Sequence, residues 1–150
     1  MSDLRELYQQ TIIDHNRKPR NFHPMPNADH HAKGHNPLCG DRLELYLKID
    51  GQRITDASFT GAGCAISTAS ASMMTEALKG RTLDEAKAIY QKFHTLLTTP
   101  LHEPVTIDGL DKLEVFSGMR EFPVRVKCAT LAWHTFEAAV KDDQHEAKTE

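Results

Sequence analysis

Leu43, Leu45, Leu47 and Ile49 alternate with Arg42, Glu44, Tyr46 and Lys48, and Asp50-Gly51 follows closely. Alternation of this kind is the period of a strand with one buried face. Asp-Gly is a tight-turn signal, because the turn that best matches strand twist needs positive φ at its centre. A partner strand is predicted from about Arg53 to Thr60, with less regular alternation. The hairpin predicts more than a sheet. Cys39 and Asp41 precede its first strand, and Cys64 follows its second. An antiparallel return brings those ends together, so the three residues are predicted neighbours.

Helical patterns flank the hairpin. Leu4, Leu7, Tyr8 and Ile12 share one face of a first helix, which should fade near Arg17-Lys18-Pro19. His15 falls where it would cap that helix. Residues 21–35, with Pro24, Pro26, Gly34 and four histidines, read as an irregular loop. Ile66, Ala69, Met73, Met74, Ala77 and Leu78 predict a second helix, stopped near Gly80. Thr82 and Glu85 form a capping box ahead of a third. Residues 98–109 read as a loop-rich insertion, followed by a short helix near Leu110 to Gly118. A last helix is expected to begin after Pro123 and run to about Lys141, with Cys128 in its first turn. Residues 142–150 are polar and expected to fray.

At 150 residues the chain fits one domain over 1–150, with 39% hydrophobic and 26% charged residues. The net charge of -3 argues against a nucleic-acid binder, which needs a basic face. No apolar run approaches the roughly 20 residues that span a bilayer, and the charged start lacks a signal segment. A cytoplasmic protein is expected, with no membrane partner. The sequence leaves oligomeric state open, homo-oligomers included.

The three cysteines are an odd number, at positions 39, 64 and 128, with no Cys-x-x-Cys pair. A disulfide framework would leave one thiol over. Each cysteine instead sits at a turn or a predicted helix start. Helix N-termini favour the thiolate, and Arg125 and Lys127 add positive charge beside Cys128, which is expected to lower its pKa. Gly61 and Gly63 permit a sharp strand-to-helix turn that presents the Cys64 sulfur. Three thiolates plus the Asp41 carboxylate are enough for a tetrahedral zinc shell or a labile seat for iron. The carboxylate is the harder ligand and leaves one exchangeable position. The competing reading is three buried structural cysteines and an unrelated aspartate. The histidines His23, His30, His31 and His35 read as exposed loop residues rather than ligands.

Three motifs carry a resemblance. They are Asn36-Pro37-Leu38-Cys39-Gly40-Asp41, Gly61-Ala62-Gly63-Cys64-Ala65-Ile66-Ser67 followed by Ser70-Ala71-Ser72-Met73-Met74, and Pro123-Val124-Arg125-Val126-Lys127-Cys128-Ala129 with Leu131 and Trp133. Together, and nearly end to end, they resemble the IscU/SufU/NifU-N family of iron–sulfur cluster assembly proteins. The SufU branch is the nearer one. Lys127 stands where IscU scaffolds have His, residues from about His94 to Leu113 resemble the SufU insertion, and Phe122-Pro123-Val124-Arg125 departs from the chaperone motif of IscU.

The resemblance implies an α+β fold, a small antiparallel β-sheet with helices packed on one face. It implies zinc held by Cys39, Asp41, Cys64 and Cys128. It also implies a zinc-dependent sulfurtransferase in which Cys39 accepts persulfide sulfur from a SufS-type cysteine desulfurase, with a SufBCD-type scaffold downstream. Arg125 and Lys127 are supporting candidates. Two alternatives stay open: a scaffold for a [2Fe–2S] cluster on the same ligands, and a zinc-stabilised adaptor without sulfur chemistry.

Overall fold

The alternating run becomes the middle of a sheet in the computed structural model, which describes residues 2–100, 102–103, 110–141 and 147–148. Strand β2 (Asp41–Asp50) pairs antiparallel with β3 (Arg53–Ala62), as the Asp50-Gly51 signal predicts. The register shifts between Lys48 and Ile49, next to the turn. On its other edge β2 pairs antiparallel with β1 (His30–Asn36), with Asn36 opposite Asp41. A two-residue strand β4 (Ala147–Lys148) runs parallel to β1, so the order is β3-β2-β1-β4 among the described residues.

Two expectations are corrected here. The loop predicted over 21–35 includes all of β1 but its last residue, Asn36. Its inward positions are Ala32, Gly34 and Asn36, so no apolar alternation marks it. Its glycine has a packing cause: a Cβ on Gly34 would run into Thr135 Oγ1 on the helix above. The tail expected to fray contributes β4; its remaining residues, 142–146 and 149–150, lie outside the described ones, as does much of the 98–109 insertion.

Helices α2 (Ala65–Leu78) and α4 (Pro123–Val140) pack on the sheet face that carries Leu43, Leu45 and Leu47. The opposite face shows Arg42, Glu44, Tyr46 and Lys48, half-buried or exposed. There His31 stacks on Tyr46 and meets Glu44. This is the α+β arrangement with helices on one face. The predicted capping box opens α3 (Leu83–Thr98): Thr82 Oγ1 accepts the Glu85 N–H, and Glu85 accepts the Thr82 N–H.

The helix expected after Leu110 is a 3₁₀ run, Asp111–Glu121. It is held by ring packing rather than by its own weaker hydrogen bonds. Phe116 meets Phe93 of α3 edge-on at 5.7 Å, and Phe93 meets Trp133 of α4 at 5.2 Å, all three buried. Helix α1 (Ser2–Arg17) lies against α2. His15 does not cap it but turns inward, 2 % exposed, with Nδ1 2.8 Å from Ser72 Oγ. The Arg20 backbone N–H donates to the same hydroxyl, which pins the exit from α1 to α2.

Candidate metal centre

Three segments of chain meet at one end of the sheet: the β1–β2 turn, the β3–α2 turn and the start of α4. The β1–β2 connection is Pro37-Leu38-Cys39-Gly40, and its base is the Asn36–Asp41 pair. Asn36 caps the turn with its backbone carbonyl, which accepts the N–H of Gly40 at 2.8 Å and of Cys39 at 3.3 Å. Gly40 has φ of 75°, the left-handed region that a side chain disfavours, so the turn closes with glycine at that position. Cys39 is thereby carried to an exposed tip, while Asp41 drops into the interior at 1 % exposure.

Cys64 is the N-cap of α2, and its sulfur accepts the Ser67 N–H at 3.4 Å. Its own backbone N–H donates to Asp41 Oδ1 at 2.9 Å. The strand-to-helix turn is close to that carboxylate: a Cβ on Gly63 would sit 2.9 Å from Asp41 Oδ1 and 3.2 Å from Ser67 Oγ. The hairpin argument thus places Cys39, Asp41 and Cys64 together, as the sequence predicts.

Cys128 arrives from α4 and is buried. The helix begins at Pro123, so Cys128 lies in its second turn rather than its first. The dipole effect falls off within one turn and gives little there. Burial pushes the Cys128 thiol above the ordinary cysteine range, and hydrogen bonding with Cys39 and Asp41 adds to the rise. The expectation that Arg125 and Lys127 lower it is corrected. Arg125 instead lies over the Phe122 ring, 4.2 Å from its centre. Among the described residues no hydrogen bond or ion pair joins Arg125 or Lys127 to the four site residues.

One sulfur and one oxygen at a time, the donors can be measured against a shared ion. Cys39 Sγ and Cys128 Sγ are 3.5 Å apart. Two sulfurs at about 2.3 Å from a tetrahedral zinc would be separated by about 3.8 Å. Ligand atoms of Cys39, Asp41 and Cys128 all lie within 4.8 Å of one another. Cys64 stands outside that set; its sulfur is 3.9 Å from Asp41 Oδ2 and accepts the Ser67 N–H at 3.4 Å. Three thiols and a carboxylate crowded together resist joint ionisation unless a cation compensates them. The donor chemistry fits zinc, and so does the spacing of Cys39, Asp41 and Cys128.

Asn36 is the residue whose role the sequence does not announce. It is fully buried, and its side-chain amide reaches Asp41 Oδ2 at 3.4 Å and Cys128 Sγ at 3.5 Å. Its place in the Asn-Pro-Leu-Cys-Gly-Asp motif is the one available signal.

Comparison with known proteins identifies the family. Residues 7–106 match the NifU-like N terminal domain family. The chain is 40% identical over 143 residues to the zinc-dependent sulfurtransferase SufU of Bacillus subtilis, covering 95% of each chain. It is 37% identical over 141 residues to the iron–sulfur cluster assembly scaffold protein IscU of Streptococcus pyogenes, covering 94% of this chain and 87% of that one. Among solved structures, a putative iron–sulfur cluster assembly scaffold protein for the SUF system from Fervidobacterium islandicum superposes with a TM-score of 0.81 at 33% identity, over 87% of this chain and 94% of the other. No helix among the described residues is long and apolar enough to cross a membrane.

Proposed function

This chain belongs to the NifU-like N-terminal domain family, and we propose that within it the protein is a zinc-dependent sulfur acceptor serving iron–sulfur cluster assembly. Cys39, Asp41, Cys64 and Cys128 would hold the zinc, with Cys64 turning from its cap toward the other three. Zinc, when bound, keeps the thiolates ionised and ties the loops that bear them.

The observation that carries the reading is the contrast between two adjacent sulfurs. Cys39 sits exposed on a turn tip, while Cys128, 3.5 Å away, is buried at 3 % exposure. Only the outer one is open to a partner protein. The Cys39 thiolate attacks the outer sulfur of a persulfide on a SufS-type cysteine desulfurase. A sulfur–sulfur bond forms at Cys39 as the persulfide bond of the donor breaks, and the donor cysteine leaves as a thiolate. No net oxidation occurs. The sulfur then passes to a SufBCD-type scaffold by the same exchange. The odd cysteine count and free thiols suit a reducing cytoplasm.

A second reading has support in the relatives named as IscU scaffolds: the same donors hold a [2Fe–2S] cluster. Lys127, in place of the histidine of IscU scaffolds, favours the sulfur relay. Desulfurase kinetics decide between them. Addition of the zinc-loaded protein should raise cysteine turnover, and mass spectrometry should find one extra sulfur on Cys39. Cys39→Ala should abolish both. Undiminished stimulation by Cys39→Ala would rule out the relay, and stable bound iron and sulfide would favour the scaffold.

A further inference from the structure

We propose that Asn36 is the positioning residue of this centre, tethering the Cys128 sulfur inward while building the turn that presents Cys39. The inference rests on the reading of the four-residue cluster as a metal centre with Cys39 as its reactive sulfur.

Both polar ends of the Asn36 side chain, and its backbone carbonyl, are committed to the site. Its side-chain amide has two N–H donors. The Nδ2 that carries them lies 3.4 Å from Asp41 Oδ2 and 3.5 Å from Cys128 Sγ, within donating distance of both. Its side-chain oxygen accepts the Leu38 N–H at 3.3 Å. Its backbone carbonyl accepts the N–H groups of Cys39 and Gly40. The residue has 0 % exposure, so water cannot substitute for any of these partners. Burying an amide is costly unless each group is paired, and here the partners are the site itself.

The geometry assigns different work to the two ends of the residue. The oxygens shape the Pro37–Gly40 turn and so place Cys39 at its tip. The amide donates to a sulfur, and a hydrogen-bonded thiolate gives up part of its electron density to the donor. Cys128 is thereby held as a quiet ligand, and Asp41 is steered by the same group. Among the described residues no amide donates to the Cys39 sulfur, which instead accepts from the Cys128 thiol. One buried amide thus separates two sulfurs 3.5 Å apart into a fixed one and a reactive one. Outer partners of this kind characteristically set ligand orientation and metal affinity.

Wild-type protein loaded with cadmium-113 tests the tether without a mutation. The Asn36 side-chain amide protons should show coupling to the metal through the N–H···S bond in a proton–cadmium correlation spectrum, and absence of that coupling overturns the tether. Two variants then separate tether from turn. Asn36→Ala should lower zinc affinity about 10- to 100-fold in competition with a chromophoric chelator. It should also blunt the lead of Cys39 over Cys128 when metal-free protein meets limiting iodoacetamide, read by peptide mass spectrometry. Asn36→Ser keeps an oxygen near the Leu38 N–H but cannot reach the sulfur, so it should resemble Asn36→Ala. If Asn36→Ser behaves as wild type in both measurements, the amide has no role in positioning. Failure of the sulfur-relay reading would appear separately, as persisting desulfurase stimulation by Cys39→Ala, and would leave the cadmium coupling untouched.

Discussion

The Asp41 carboxylate accepts the Cys64 backbone N–H at 2.9 Å, joining the start of β2 to the cap of α2. The bond spans the whole β2–β3 hairpin and closes it at its open end. One oxygen of Asp41 is therefore structural, and the other, Oδ2, faces Asn36 and the Cys64 sulfur. A single side chain both fixes the loop geometry and offers a ligand atom.

That division predicts a split between two substitutions. Asp41→Ala leaves the Cys64 N–H without its acceptor, which should cost about 1–3 kcal/mol in urea unfolding of metal-free protein. Asp41→Asn retains an oxygen for the N–H and should keep most of that stability. Both should weaken zinc binding in a chelator competition, because the carboxylate charge is lost. Equal stability losses for the two would show that the bond to Cys64 contributes nothing.

Gly63 should be intolerant of a methyl group for the same reason. A Cβ there would press on Asp41 Oδ1 at 2.9 Å, closer than such contacts normally come. Overpacking of this kind costs about 1–3 kcal/mol. The penalty of Gly63→Ala should largely vanish in an Asp41→Ala background, since the atom it strikes is gone. Additive losses in the double variant would place the strain elsewhere.

Gly34 sets the distance between β1 and α4. Gly34→Ala would drive its Cβ into Thr135 Oγ1, with Leu131 Cδ1 also 3.2 Å away. We expect a loss of about 1–3 kcal/mol or more, seen as a lower denaturant midpoint. Thr135→Ala opens the space, at the cost of the Thr135 hydrogen bond to the Leu131 carbonyl. The double variant should be more stable than Gly34→Ala alone. A double variant less stable than both singles would contradict this packing account.

Stability should fall on mild acidification. Burial holds the pKa of His15 below its ordinary 6.5, with Arg20 and Lys112 lowering it further and Glu76 opposing. His134 is lowered as well, first by burial and then by His94. In the unfolded chain both histidines take up protons near 6.5, while the folded form resists. Their neutral forms therefore support the fold above about pH 6.5, and that support is lost as pH falls through the lower folded values. Urea midpoints of metal-free protein should drop across that window. His15→Gln should flatten the drop, and an unchanged slope would exclude His15 as a source.

Much of the fold is legible along the chain because it depends on neighbours in sequence. The β2–β3 hairpin follows from alternation and Asp50-Gly51, and α3 from its Thr82–Glu85 capping box. The meeting of Cys39, Asp41 and Cys64 follows from the hairpin alone, since antiparallel strands return their ends to one place. The IscU/SufU/NifU-N resemblance is legible in three short motifs for the same reason.

What escapes a linear reading depends on residues far apart. Strand β1 has no apolar rhythm, because its inward positions meet α4 so closely that only glycine fits at 34. Cys128 looks activated beside Arg125 and Lys127 in sequence, yet packing buries its thiol and raises its pKa. Asn36 is one polar letter before a proline until folding encloses it between a carboxylate and a sulfur. Local hydrogen bonds and side-chain periodicity settle strands, turns and caps, and these act over a few residues. Burial and the company of distant side chains settle which sulfur is held and which is presented, and those exist only once the chain has closed.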